Sequence, residues 1–247
     1  MTKIKKILTA KSFEKRLKAL SSKIELEKTK RYFKTGKGQY AEGDKFIGVR
    51  MGNVFALAKE YVDMSLPEIE ILLKSSIHEA RVGALSIMGK ATPKNKLTPE
   101  KLKAFYEIYI RNHKHINNWD LVDLSAYNVV GRYLSDKSRA ILYKLAKSKN
   151  MWERRTAIVS TWAFSKSGDT KDAFAIAKIL LHDSEDLIHK ATGWMLRSSG
   201  TKNKKALLDF LNTYASTMPR TTLRYSIEKL DNKQKEFYMK MKQKNVK

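Results

Sequence analysis

The chain has 247 residues, 42% hydrophobic and 10% aromatic, which is the apolar content of a folded protein and excludes a disordered one. Four prolines and eleven glycines are too few for a turn-rich sandwich or barrel, and the lack of cysteine excludes disulfides, thiolate zinc sites and cysteine nucleophiles. Fifty Lys and Arg against 25 Asp and Glu leave a formal charge of +25, which points to a polyanionic partner, nucleic acid foremost.

From the N-terminus, Ile4, Ile7, Leu8, Phe13, Leu17, Leu20 and Ile24 follow a loose helical period, which predicts a basic amphipathic helix over 1–31. The apolar "ILTA" after Lys3, Lys5 and Lys6 is too short for a signal-peptide core. No stretch approaches the ~20 apolar residues of a membrane span, so the expectation is a soluble, cytoplasmic protein. Residues 34–44, "KTGKGQYAEGD", predict a loop whose lysines can meet phosphates. "FIGVRMGNVFALAKEYV" resumes helical spacing. Ser65-Leu66-Pro67-Glu68 and Thr98-Pro99-Glu100 read as capped helix starts with proline at the first helical position. Gly168-Asp169, Gly200-Thr201 and Met218-Pro219 mark later breaks, and no strand pattern is present.

Five stretches resemble one another when stacked: "HEARVGALSIM" from His78, "WDLVDLSAYNV" from Trp119, "WERRTAIVSTW" from Trp152, "LIHKATGWMLR" from Leu187 and "TTLRYSIEKLD" from Thr221. Their starts are 41, 33, 35 and 34 residues apart, and each follows another helical segment. Helix pairs at that period are the signature of an α-solenoid whose second helices line the concave side. The expected fold is therefore all-α, a right-handed solenoid forming one repeat domain over 1–247. Residues 1–44 would supply the N-terminal helix and the glycine/lysine loop, and 45–240 the stacked repeats. The plain alternative is an ordinary helical bundle.

The second helices carry the chemistry. Residues three or four apart share a helix face. Trp119 therefore neighbours Asp123, Trp152 neighbours Arg155, and Lys190, Trp194 and Arg197 form a row. Facing one groove, these rows would set one carboxylate among indoles and cations. Asp120 reads as a helix-dipole residue, with Asn117 or Asn118 as the cap. Asp123 lies a full turn in and gains less from the dipole. It reads either as a site carboxylate or as a buried ion-pair partner of Arg154 or Arg155.

These residues carry a resemblance. "KRYFKTGKGQYAEGDKFIGVR", "HEARVGAL", "NNWDLVDLSA", "NMWERRTAIV", "DLIHKATGWMLR" and "MPRTTLRYSIEK", in that order, resemble the AlkD family of DNA alkylation repair glycosylases, which are HEAT-like repeat proteins. The resemblance implies HEAT-like helix pairs with a concave basic groove, and a duplex DNA substrate containing purines alkylated at N3 or N7. It places the family's functional tryptophan and aspartate on Trp119 and Asp123, its active-site arginine on Arg155, its second wall tryptophan on Trp194, and a tyrosine at the lesion on Tyr32. It implies hydrolysis of the N-glycosidic bond with no cofactor, and with the base left largely stacked. The candidate phosphate contacts are Lys34, Lys37, Arg81, Arg154, Lys190, Arg197, Arg220 and Arg224, each with the alternative of a solvated surface charge.

Two rival readings remain: a non-catalytic helical-repeat binder of DNA, RNA or protein, and an RNA- or ribosome-associated scaffold. His78, His113, His115, His182 and His189 show no ligand spacing paired with carboxylates, so a catalytic metal is not expected. A solenoid that wraps DNA acts alone, which makes a monomer the expectation.

Overall fold

Residues 8–33 form two helices, not one. The computed structural model of the chain describes residues 8–241. Helix α1 (Ala10–Ala19) opens at Thr9, whose hydroxyl accepts from Ser12 N while Thr9 N donates to Ser12 Oγ. Helix α2 (Lys23–Phe33) opens at Ser22, whose hydroxyl accepts from Glu25 N and whose own N–H donates to Gly48 O. Ser22 followed three residues later by Glu25 is helix-start spacing, and it cuts the expected apolar stripe. Phe13 and Leu17 are fully buried, whereas Leu20 and Ile24 are exposed, the latter by 70%. Lys3, Ile4, Lys5, Lys6 and Ile7 lie outside the described residues.

The loop over 34–44 forms as turns, with Lys34 closing α2 in the left-handed region at φ 50°. Helical structure does not resume at Phe46 but at α3 (Met51–Glu60). The segment between is held by a carboxylate: buried Glu79 accepts from Ile47 N, Gly48 N and Val49 N at 2.8–3.2 Å. Gly48 is required there. Its φ is +75°, and an added Cβ would stand 2.4 Å from Ser22 O.

The chain divides into two compact units, Met1–Ser125 and Ala126–Lys247. The first continues with α4 (Leu66–Leu73), α5 (His78–Ser86), α6 (Pro99–Arg111) and α7 (Trp119–Ser125). Thr98 caps α6 with Pro99 at the first position, as expected. In α4 the helix begins one residue earlier than predicted, so Pro67 is second and the Ser65 side chain makes no cap bond. Helix α5 packs against α3, α4 and α7, around fully buried Ile69, Leu72, Leu73 and Leu85. Each such side chain contributes roughly 1.5–3 kcal/mol.

The second unit starts with a π-helical segment, Ala126–Gly131, and continues with α8 (Ala140–Leu145), α9 (Met151–Ser160), α10 (Trp162–Ser165) and α11 (Lys171–Ile179). It closes with α12 (Asp186–Gly200), α13 (Lys204–Tyr214), α14 (Arg220–Ile227) and α15 (Asn232–Lys240). Helix α12 packs on both α9 and α14. The approach to α14 is close enough that a Cβ on Gly193 would stand 2.7 Å from Thr222 O. The described residues are all-helical apart from turns and one isolated bridge, Lys45 to Ile77. The five repeated stretches fall on α5, α7, α9, α12 and α14, each following another helix in the chain, and α5, α9 and α12 pack on the helix before them.

Asn150 caps α9 by accepting from Trp152 N at 2.9 Å. Asn150→Ala is expected to cost about 1 kcal/mol, read as a shifted urea midpoint with an unchanged slope.

Candidate functional site

The start of α7 is fastened by polar side chains from three directions. Asn118 Oδ1 accepts from Trp119 N at 2.8 Å, which is one of the two caps expected. Asp44, from the end of the glycine loop, accepts from Asn117 Nδ2 and Asn118 Nδ2 at 3.1 and 2.9 Å. Arg81, on α5, donates to Asp44 at 2.7 Å, to Asn117 Oδ1 at 3.2 Å and to Ser75 O at 3.1 Å. Arg81 is only 5% exposed, and these bonds lie within the fold.

Asp120 is also read differently in the structure. Beyond its place in the first turn, its Oδ2 lies 2.8 Å from Nε2 of His78, which is fully buried. The other imidazole nitrogen is 3.6 Å from Asp44 Oδ2. The ring packs against both Phe33 and Phe46, at centroid distances of 5.3 and 4.4 Å. Burial opposes charge on His78 and is the largest single influence. The Asp120 carboxylate, helped by Asp44, overcomes it and pushes the pKa up to about 9. Asp44 itself is held well below the carboxylate range: burial raises it, but His78, Asn118 and Arg81 together outweigh that.

This frame presents Trp119. Its ring stacks on Phe33 at 5.4 Å and 18°, meets Tyr32 edge-on at 5.8 Å, and donates from Nε1 to Tyr40 Oη at 3.2 Å. Tyr32 is 66% exposed, so the expected lesion tyrosine does stand beside the expected tryptophan. Asp123 follows one turn along α7, partly buried. A groove of about 620 Å³ adjoins this corner, lined by Tyr32, Phe33, Phe55, Trp119, Asp120 and Leu124 among others.

In the second unit, Arg155 is 5% exposed and donates to Leu187 O, while its helix neighbour Trp152 is core. Arg154 is a structural clamp. It grips both oxygens of Asp183 at 2.6 and 3.0 Å and donates to Ser148 O and Lys149 O. Its guanidinium is thus engaged inside the fold. Trp194 is partly exposed on α12, in the same row as Lys190 and Arg197. Its ring lies 6.0 Å from Trp162, which in turn meets Tyr127 at 4.3 Å. Lys190 pairs with Asp186, Arg197 with Glu228, and Arg220 donates to Met239 O. Lys34, Lys37 and Arg224 are exposed.

Sequence reasoning missed Asp44, His78, Tyr40 and Trp162. The buried pair of Asp44 and His78 has no local signal, because the two lie 34 residues apart and Asp120, Asn117 and Asn118 come from 42 to 74 residues away. Trp162 lay in plain view, closing the third repeated stretch.

Among the described residues no group of three or more His, Cys, Asp or Glu is placed to hold a metal ion, and no helix is long and apolar enough to cross a membrane. No curated protein sequence is a significant match to the chain. In fold, the chain is similar to the solved structure described as a predicted DNA alkylation repair enzyme from Enterococcus faecalis. That match has a TM-score of 0.65 and 17% identity, covering 86% of this chain and 97% of that one. The family model for DNA alkylation repair enzymes matches residues 13–230, nearly the whole chain. The protein belongs to the DNA alkylation repair enzyme family.

Proposed function

We propose that the protein is an AlkD-like DNA glycosylase that removes cationic N3- and N7-alkylated purines from duplex DNA by hydrolysing the N-glycosidic bond, the opening step of base excision repair. The observation that carries this reading is the corner at α7: an indole fixed by Phe33, Tyr32 and Tyr40, with a partly buried carboxylate one turn further along the same helix.

An alkylated purine already carries positive charge and leaves without being protonated. As the bond lengthens, the deoxyribose becomes oxocarbenium-like. Asp123 stabilises that charge and orients the attacking water. The water oxygen bonds to C1′, its proton passes to solvent, and the base departs as a neutral alkylpurine. Trp119 and Trp194 pack against the sugar and draw cationic character through their π faces. Arg155 holds a flanking phosphate and orients Asp123. The base is not extruded into a pocket, and discrimination comes from the lesion's own charge and lability. Tyr32 lies at the lesion. Lys34, Lys37, Arg81, Arg154, Lys190, Arg197, Arg220 and Arg224 are the phosphate candidates. In the same reading the helix pairs build one HEAT-like repeat domain, a right-handed solenoid with a concave basic groove, acting in the cytoplasm as a monomer without cofactor or metal.

The test is a duplex carrying one 7-methylguanine, incubated with excess protein and then treated with alkali. Cleavage at the lesion is expected. A duplex that stays intact while bound would make the protein a non-catalytic DNA binder. Arg155→Ala is expected to weaken duplex binding and excision about tenfold each, roughly 1.4 kcal/mol. An unchanged binding isotherm would confine Arg155 to a role within the fold, where it donates to Leu187 O among its contacts.

A further inference from the structure

We propose that a hollow at the C-terminal end of α12 holds two consecutive phosphates of a DNA strand, beside the ring of Trp194. The inference rests on the duplex-DNA reading above. The hollow measures about 210 Å³, and its lining includes Trp162, Lys166, Arg197, Thr201, Lys202 and Lys229.

Charge decides what it takes. Arg197 and Lys229 share one carboxylate, Glu228, with Lys229 at the outer limit of 4.0 Å. Lys166 and Lys202 have no carboxylate partner among the described residues. Four cations therefore meet one anion, a surplus of three. The plain role for the cations here is to offset the negative C-terminal ends of α12 and α14, beside which Arg197 and Lys229 stand, the single turn of α10 adding little. Each helix end carries at most about half a charge, so that role absorbs about one unit. About two units remain, which matches two phosphodiesters.

Position supports a nucleic-acid strand over a free anion. The Lys166 ammonium is held 4.1 Å from the centroid of the Trp162 ring and 5.7 Å from that of Tyr127. Trp162 thereby presents an apolar wall between the cations and Trp194, 6.0 Å away. A sugar can rest on that wall while the phosphates flanking it meet lysines. The Ser198 and Thr201 hydroxyls on the same helix end add hydrogen-bonding capacity beside the cations.

The test compares two triple variants of the full chain. One is Lys166→Ala/Lys202→Ala/Lys229→Ala. The other, Lys11→Ala/Lys15→Ala/Lys59→Ala, removes three exposed lysines of the first unit and the same net charge. Affinity for an undamaged duplex is measured from 50 to 200 mM salt. Loss of two phosphate contacts should make the slope of log K against log salt shallower by about 1.8, so that affinity falls about tenfold less across the range than for wild type. The control should keep the wild-type slope. The triple Lys→Arg variant at 166, 202 and 229 should restore it, which separates charge from folding. Equal slopes in both alanine triples would overturn the site. So would displacement of duplex by inorganic phosphate at constant ionic strength, which would mark a free-anion site. If wild type itself shows no salt-dependent affinity for duplex, the DNA reading fails with it. A steep wild-type slope alongside an unaffected triple variant sinks only this proposal.

Discussion

Asp123→Asn is expected to lower the single-turnover rate of 7-methylguanine release by on the order of 10²–10³-fold while leaving duplex binding as tight as wild type or tighter. The two effects separate because they draw on different charges. The substrate backbone is anionic, so a carboxylate near it weakens ground-state binding. The sugar becomes cationic only as the bond breaks, so the same carboxylate stabilises the transition state. Asparagine keeps the shape and removes the charge. Turnover at the wild-type rate would take Asp123 out of catalysis. Equal losses in binding and release would mean that it holds α7 in place instead.

His78→Leu is expected to destabilise the protein by about 3–5 kcal/mol, because the imidazole is the buried counter-charge to both Asp44 and Asp120, and its loss leaves carboxylates in the interior undercompensated. The same residue sets a pH dependence. Its folded pKa is raised to about 9 from an ordinary 6.5, so its contribution is fully present below pH 6.5 and is lost as pH rises through 9. At about 1.4 kcal/mol per pH unit the loss approaches ~3 kcal/mol. Asp44 works in the other direction. Its depressed pKa gives stability above the ordinary carboxylate range that falls away in acid. Urea midpoints should therefore decline between pH 6.5 and 9 in wild type and stay level in His78→Leu. A matching decline in the variant would assign the alkaline loss to other groups.

The helices were legible because their starts are written locally. Thr98 with Pro99 and the periodic apolar positions after His78, Trp119 and Trp152 each mark a boundary that the folded chain keeps. The break at Ser22 was less visible, because apolar positions continue at helical spacing on both sides of a serine that caps α2. The cations show where sequence runs out. Arg81 and Arg154 look like any basic residue on a basic protein. Each proves to be a clamp because its acceptor, Asp44 or Asp183, arrives from 37 or 29 residues away. The contact between Tyr32 and Trp119 spans 87 residues and depends on the loop that brings Tyr40 and Phe46 around α2. Only packing could place it.

The most direct test of the account follows the methyl group. Duplex DNA with a radiolabelled methyl at guanine N7 is incubated with wild-type protein, and the soluble products are separated. Cleavage of the N-glycosidic bond predicts the label as free 7-methylguanine, with one abasic site left for each base released. Label leaving without the purine, and intact guanine restored in the strand, would contradict it.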